Sequence, residues 1–232
     1  MSEIITKGYL INVIDYELFD QIITFINEYG NVFSCIAIGS RKIKSKNARQ
    51  LKFGALLEFD FFMSRNIDKV GRLKKVVALD NTSFSFSTNN GLIVLNQLFF
   101  KAKCSGKDFY NMYFNNLELL KNNNDQNNVI IKIFFEFMLL SGIKLKLNGC
   151  SICHNRKIIN FDEKEMGFVC IEHNTSQLNI SPNVLQILYA IHKNKLSLLD
   201  RYSYNDKFLV IKFLMYLINS YIGINLYSLL LY

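Results

Sequence analysis

The chain has 232 residues, half of them hydrophobic, with one proline, no tryptophan and a net charge of +8. This length suits one large or two small domains with a buried core. The positive charge favours an anionic partner, most simply nucleic acid.

The most apolar runs, Val129–Ile143 and Phe208–Ile224, contain charged or polar residues and are shorter than about twenty uninterrupted apolar residues. We therefore interpret them as buried helices in preference to membrane spans. Lys132 and Glu136 in the first run are four residues apart and can pair on one helix face.

Residues 1–80 are predicted to form β structure. Asn31 and Gly30 follow the second predicted strand, so Glu28–Asn31 is expected to be a hairpin turn with Gly30 at positive φ. Five short strands in about eighty residues fit a small barrel such as an OB-fold, which commonly binds single-stranded nucleic acid, although the strand count also allows an SH3-like barrel. The predicted strands are Gly8–Tyr16, Gln21–Glu28, Val32–Ile38, Ala55–Phe62 and Lys74–Leu79.

A basic loop, residues 39–54, separates the third and fourth predicted strands and contains no acidic residue. Such a run is typical of a surface that contacts a phosphate backbone, although a solvated loop has the same composition. The basic residues of this loop are Arg41, Lys42, Lys44, Lys46, Arg49 and Lys52, and a second cluster contains Arg65, Lys69, Arg72, Lys74 and Lys75. Aromatic residues such as Phe33, Phe53, Phe59 and Phe61 have strand spacing and are interpreted as core residues, not as stacking platforms for bases.

Residues 81–232 are predicted to form an all-α domain. A stripe of apolar residues recurs at three- and four-residue steps from Phe109 to Leu120, which indicates one helix face packed on a core. Further helices are predicted at Leu92–Lys103, at Val129–Ser141 with Gly142 beyond its end, from Ser181 to Lys193, and from Asp206 to Tyr221. Ser181 and Pro182 suit the N-cap and first position of their helix.

Two ligand pairs interrupt this helical region at residues 148–175. Cys150 and Cys153 are separated by two residues, as are Cys170 and His173, and sixteen residues lie between the pairs. This spacing predicts a tetrahedral zinc site whose halves are brought together by a short β-hairpin. Four protein ligands close the shell, so the zinc would be structural and not catalytic. His154 is an alternative fourth ligand.

The remaining cysteines, Cys35 and Cys104, have no partner at ligand spacing and are interpreted as core residues. A disulfide is disfavoured because the sequence begins without a signal peptide, which favours a reducing cytoplasmic location. The chain contains no Gly-x-Ser-x-Gly, P-loop or His-Glu-x-x-His motif, so we expect that it is not an enzyme. The alternatives are a basic protein-interaction scaffold and a metal-dependent hydrolase, and the second needs an open coordination position.

The order of these parts resembles the RecO family of bacterial recombination mediators. The resemblance depends on the order and spacing of several motifs, and no single motif is decisive. They are Phe25–Asn31, Ile38–Ser45, Phe135–Ile143, Leu147–Cys153 and Tyr221–Ser228. Many zinc-carrying members use four cysteines, whereas this chain has His173 in the last place.

The resemblance implies a DNA-binding protein of DNA repair and recombination that has no enzymatic activity. Such a protein binds single- and double-stranded DNA, anneals complementary strands, binds RecR and the C-terminal tail of single-strand binding protein (SSB), and helps load RecA on coated single strands. It would lie in the bacterial cytoplasm with the nucleoid. The expected fold is an OB-fold barrel at residues 1–80 followed by a helical domain at residues 81–232 with an inserted zinc knuckle. The candidate DNA contacts are Arg41, Lys42, Lys44, Lys46, Arg49, Lys52, Arg72, Lys74 and Lys75.

Overall fold

The computed structural model of the chain describes residues 2–64, 70–80, 89–122 and 125–226. These residues form two compact units, of which the first ends at Lys121 and the second begins at Asn122. We describe each unit by itself.

The first unit is built on a closed five-stranded barrel with the strand order β1-β2-β3-β5-β4. Its pairs are antiparallel except for a short parallel contact between β3 and β5, at Cys35 with Gly71 and Ile36 with Arg72. This arrangement confirms the predicted OB-fold. The strands are β1 (Glu3–Tyr16), β2 (Asp20–Asn27), β3 (Val32–Ala37), β4 (Leu56–Phe62) and β5 (Gly71–Ala78).

Alternation along the strands fills the barrel. In β4, every second residue from Leu57 to Phe61 is buried, as expected when successive side chains point to opposite faces of a sheet. Phe59 stacks on Phe25 of β2 with ring centroids 3.8 Å apart. Cys35 is fully buried in the same core, as predicted, and burial raises the pKa of its thiol to about 12.

Two helices, α1 (Asn90–Ala102) and α2 (Lys107–Asn122), pack on the barrel within the first unit. The ring of Tyr9 in β1 lies 5.5 Å from that of Tyr113 in α2, and the Tyr113 hydroxyl donates to Asn96 of α1 at 2.7 Å. The β2–β3 turn also touches the start of α2, where the Gly106 amide donates to the Gly30 carbonyl at 2.7 Å. Gly30 has φ +83, as predicted, and a Cβ there would lie 2.2 Å from the Gly106 carbonyl carbon.

The second unit contains α3 (Gln126–Leu140), α4 (Pro182–His192) and α5 (Tyr204–Ile222), with the hairpin β6 (Asn160–Asp162) and β7 (Gly167–Val169) between α3 and α4. Ser181 caps α4 and Pro182 occupies its first turn, as predicted. The hairpin packs on α5, because Phe161 and Phe213 form an edge-to-face pair with centroids 5.1 Å apart. This contact fixes the metal-ligand segment on a helical core.

The fold class is confirmed as an α+β architecture with a barrel followed by a helical region. The boundary predicted at residues 80 and 81 stays a prediction, and α1 and α2 lie in the same compact unit as the barrel. Arg65, Lys69 and the last residues of the Tyr221–Ser228 motif lie outside the described residues. No helix within the described ranges has both the length and the apolarity needed to cross a membrane.

Candidate metal centre and nucleic-acid interface

The first pair of candidate ligands lies on a turn that is held against β7. The Lys146 amide donates to the Met166 carbonyl at 2.8 Å, the Phe168 amide donates to Lys146 at 3.0 Å, and the Ser151 amide donates to Phe168 at 2.7 Å. Gly149, at φ +138, lets the backbone turn into Cys150. The β6–β7 hairpin then returns the chain to the second ligand pair.

The structure brings Cys150, Cys153, Cys170 and His173 together, with all four ligand atoms within 4.8 Å of one another. The Cys153 and Cys170 sulfurs are 3.7 Å apart, and His173 Nδ1 lies 3.7 Å from the Cys150 sulfur and 3.3 Å from the Cys170 sulfur. A tetrahedral zinc ion with Zn–S bonds of about 2.3 Å and Zn–N bonds of about 2.0 Å requires separations of roughly 3.5–3.8 Å between these atoms. The four residues therefore fit a zinc ion in a closed shell.

The electrostatics of the site favour a thiolate at one ligand. Burial opposes ionisation of Cys150, but backbone amides of Cys153, Ile152 and Cys170 donate to its sulfur, and the pKa of Cys150 falls from 9.0 to about 6. At Cys153 the Asn155 amide lowers the pKa, while burial and the thiols of Cys150 and Cys170 raise it more, so the net shift is upward. A bound cation would favour the thiolate form at each cysteine.

His173, not His154, completes the four-residue cluster. His173 lies in a short 3₁₀ turn that follows β7, whereas His154 is exposed and has φ +60. Sequence spacing left both histidines open as the fourth ligand. The tertiary fold distinguishes them because the 3₁₀ turn directs the His173 ring towards the thiols.

Polar residues of β6 hold the chain that follows His173. Asn160 Nδ2 donates to the Leu178 carbonyl at 2.6 Å and to Asn174 Oδ1 at 3.2 Å, and the Thr175 hydroxyl donates to Asp162 at 2.9 Å. Asn160 and Asp162 are both buried. These supporting residues were not predicted from the sequence, although the two polar side chains that flank Phe161 between the ligand pairs were a usable signal.

On the barrel, every one of the nine candidate DNA contacts is exposed. Side chains of the basic loop bond to β5 and so fix the loop beside it. Asn47 donates to the Lys74 carbonyl at 3.4 Å and accepts from the Val76 amide at 3.2 Å, and Gln50 accepts from the Ala78 amide at 3.0 Å. The short pairing with β3 ends at Arg72, and these hydrogen bonds satisfy backbone groups of β5 beyond that point. They also hold the basic loop next to the strand that carries Arg72, Lys74 and Lys75.

Two of the nine cations already have acidic neighbours. Arg41 pairs with Asp15 at 3.4 Å, and Lys74 pairs with Glu3 and with Asp60. The hydrogen bond with Glu3 is the main cause that raises the pKa of Lys74. Within the described ranges, no carboxylate lies within ion-pair distance of the remaining cations, Lys42, Lys44, Lys46, Arg49, Lys52, Arg72 and Lys75.

The aromatic residues considered in the sequence lie in or against the core. Phe59 and Phe61 are buried, and Phe33 and Phe53 are partly buried and pack against the same core cluster. Two other aromatic residues, Tyr16 and Phe19, are exposed at the tip of the β1–β2 hairpin, and the Phe19 ring lies near Lys42 of the basic loop. Sequence pattern did not single them out, because a strand end and a turn carry no periodic signal.

The second unit contains a groove of about 900 Å³. Its apolar surface comes mainly from α4 and the segment after the first ligand pair, and Arg156, Lys193 and Lys195 supply positive charge. None of the residues that line it is acidic. The apolar lining residues are Leu147, Ile158, Ile159, Pro182, Leu185, Ala190 and Leu198.

Comparison with known proteins agrees with this architecture. The family model described as the C-terminal part of recombination protein O matches residues 105–229, which is more than half of the chain. The chain belongs to the RecO family. The match covers the metal-ligand segment and helices α3 to α5, and the barrel lies outside it.

Curated relatives extend the similarity to the family. The chain is 28% identical over 183 residues to DNA repair protein RecO of Mesoplasma florum, covering 73% of this chain and 67% of that protein. It is 25% identical over 157 residues to the DNA repair protein RecO of Mycoplasma mycoides, covering 65% of this chain and 63% of that protein. A third relative, from Mycoplasma capricolum, is 26% identical over 159 residues, with the same shares of 65% and 63%. The matched regions therefore span about two thirds of these relatives.

Proposed function

We propose that this chain is a DNA-binding recombination mediator of DNA repair, without enzymatic activity. Family membership and the name DNA repair protein RecO of its relatives support this role. The main structural support is that the basic loop lies next to the basic strand β5, to which Asn47 and Gln50 bond it. We expect the basic residues of the loop and of β5 to form one DNA-binding surface.

This surface would act through the phosphate backbone. Lysine and arginine side chains that neutralise phosphates release condensed counterions, so binding is strong at low salt and weakens steeply as salt rises. Such contacts do not depend on base sequence. The surface would thus hold single and double strands alike, and reducing the repulsion between two complementary strands would accelerate their annealing.

The groove in the second unit is the candidate site for the acidic C-terminal tail of SSB. An acidic peptide would place carboxylates near Arg156, Lys193 and Lys195 and apolar side chains on the floor of the groove. Together with binding to RecR, this contact would bring the protein to SSB-coated strands where RecA is loaded. The zinc would support this role by fixing residues 149 to 159, several of which line the groove.

Annealing of two complementary labelled oligonucleotides across a salt series tests the DNA role. We expect acceleration by the parent protein that falls as salt rises. The triple variant K44E/K46E/R49E should bind single strands more weakly, with a salt slope lower by about 2, because each single-strand phosphate contact contributes about 0.7 to the slope. The matched control is K144E/K157E/R201E, which changes three exposed cations of the second unit and makes the same change in net charge.

An unchanged salt slope in the barrel variant, or an equal loss in the control, would remove the DNA role from this surface. DNA binding is measured in the absence of acidic proteins, because a basic scaffold that binds only such proteins is the main alternative. Absence of binding at low salt would favour that scaffold.

The groove has a separate test. K193E/K195E should abolish binding of an acidic peptide that ends with the SSB tail sequence while annealing of free strands is retained. Equal peptide binding by the variant and the parent protein would place the tail elsewhere.

A further inference from the structure

The tip of the β1–β2 hairpin exposes apolar side chains beside the basic loop. The exposed fractions are 40% for Tyr16, 74% for Leu18 and 45% for Phe19, whereas Phe25 of the same hairpin is completely buried. The tip turns at Glu17, which has φ +51, so Leu18 and Phe19 lie in the turn outside the strand ladder. The barrel core does not need these two side chains.

The hairpin strand that begins after Phe19 is bonded to the start of the basic loop. The Arg41 amide donates to the Phe19 carbonyl at 2.9 Å, and the Gly39 amide donates to Asp20 at 2.7 Å. The Ser40 hydroxyl donates to Gln21 at 2.9 Å. Three consecutive loop residues are therefore bonded to the hairpin, and Tyr16 lies opposite Asp20 in the same hairpin.

The basic loop supplies the positive charge beside the tip. Lys42 Nζ lies 5.4 Å from the Phe19 ring centroid, which is cation–π distance. Asp15 is paired with Arg41, and Asp20 accepts the Gly39 amide and keeps its negative charge. Glu17 is the third nearby carboxylate. The loop adds Lys44 and Lys46 beyond Lys42.

Aromatic faces interleaved with cations suit unpaired nucleotides. A base of single-stranded DNA can stack on a tyrosine or phenylalanine ring while lysine binds the adjoining phosphate. A base inside a duplex is already stacked on its neighbours and is not free to do so. The tip would therefore add affinity for single strands alone, on top of phosphate binding that is common to both forms.

We propose that Phe19 and Tyr16 form a stacking platform for bases of single-stranded DNA, with Lys42 and the neighbouring loop cations holding the adjoining phosphates. The platform rests on the proposed DNA role and deepens it, because it gives the basic surface a preference for single strands. An apolar protein partner is the competing occupant.

Alanine variants give the first test, with a fluorescent twenty-nucleotide oligo(dT) and a matched duplex as probes. Stacking is worth roughly 1–3 kcal/mol per base, so Y16A/F19A should raise the Kd for oligo(dT) by about 5-fold to 150-fold for each stacked base that is lost. The salt slope should stay unchanged, since the phosphate contacts remain, and the duplex Kd should change less than about 2-fold. The control is Tyr29→Ala, a 68% exposed tyrosine in the β2–β3 turn of the same barrel.

A spectroscopic probe gives the second test. The chain contains no tryptophan, so Phe19→Trp introduces a unique fluorophore. Oligo(dT) should quench it, whereas heparin, a polyanion without bases, should bind the cations and leave the emission nearly unchanged.

The outcomes separate this inference from the proposed function. If the parent protein binds DNA with a steep salt slope but Y16A/F19A binds oligo(dT) equally well, the platform is wrong and the DNA role stands. If the parent protein binds neither probe, the DNA role itself fails. Unquenched tryptophan emission from the Phe19→Trp variant, in a complex that anisotropy shows to be formed with oligo(dT), would also overturn the platform and favour a protein-docking surface.

Discussion

The barrel and the metal-ligand segment differ in the interactions that stabilise them. The barrel closes on itself, and alternating residues from all five strands meet in one apolar core. The hairpin between the ligand pairs has strands of only three residues each, and exposed chain flanks it on both sides. A two-stranded hairpin is at best marginally stable in water. Buried Asn160 and Asp162 and the packing of Phe161 against α5 support it, and we expect zinc bound by the four-residue cluster to add to this support.

A substitution should therefore destabilise the two regions by different mechanisms. Removing an apolar side chain from the barrel creates a cavity, whose cost is set by packing. If zinc joins the two ligand pairs, changing one ligand removes a cross-link between two segments of chain.

The metal ligands should show the largest effect. Cys150→Ser should lose one zinc per chain, as measured by metal analysis of the purified protein. Structural zinc is worth roughly 10 kcal/mol or more in zinc-finger peptides, and packing of Phe161 on α5 should reduce the loss here to several kcal/mol. Hydrogen exchange should rise across residues 146–180 and stay constant in the barrel. The parallel variant Cys104→Ser changes a buried cysteine outside the cluster and should retain its zinc. Equal metal content in parent and Cys150→Ser would contradict the site.

The barrel core comes next. Phe59→Ala removes a fully buried ring that stacks on Phe25 and should lower the free energy of unfolding by about 3–5 kcal/mol in urea titrations. Zinc content should not change. Loss of zinc from this variant would mean that the barrel and the metal-ligand segment are not independent.

A smaller effect is expected at the ion pair that joins α5 to the N-cap of α3. Lys207 is buried and pairs with Asp125, which is partly exposed. Lys207→Met keeps the apolar stem and removes the charge, so we expect a loss of about 1–3 kcal/mol. A variant as stable as the parent protein would mean that the attraction between the two charges only balances the cost of removing them from water.

The same pair has a signature in the pH dependence of stability. Burial raises the pKa of Asp125, but the hydrogen bond and charge of Lys207 and the backbone amides of Asn127 and Asn128 together lower it more, so the net shift is downward. The contribution of Asp125 is then complete above the unfolded-state pKa of about 3.9 and is lost as pH falls through the lower folded-state value. The stability difference between parent and Asp125→Asn should be constant from pH 5 to 7 and should shrink below about pH 4. A difference that grows on acidification would contradict the assignment.

The smallest effect is expected at the cap of α4. The Ser181 hydroxyl accepts from the Val184 amide at 3.4 Å, which is a long hydrogen bond. Ser181→Ala should therefore cost about 0.5–1 kcal/mol, near the low end for N-caps, while zinc binding is retained. A loss above about 2 kcal/mol would indicate that Ser181 also supports the ligand segment.

Most helices and strands lie near the positions predicted from local sequence pattern, and the boundaries that differ do so for physical reasons. β1 begins at Glu3, five residues before the predicted start at Gly8, because residues 3–7 pair with β4 in a stretch that mixes polar and apolar side chains. Residues 71–73 belong to β5 although no periodicity marks them, since Gly71 pairs with Cys35 across the barrel seam. The Lys132–Glu136 pair and the buried Cys104 were both predicted and are confirmed.

The strand and helix order, the basic loop and the two ligand pairs could be predicted from the sequence, because each depends on spacing along the chain. The tertiary structure was needed to distinguish His173 from His154, to join the basic loop to β5, and to place Phe19 beside Arg41 and Lys42. These choices depend on contacts between residues that are distant in sequence or lie in turns. Hydrophobic periodicity reports which face of an element is buried, and it contains no information on which loops meet.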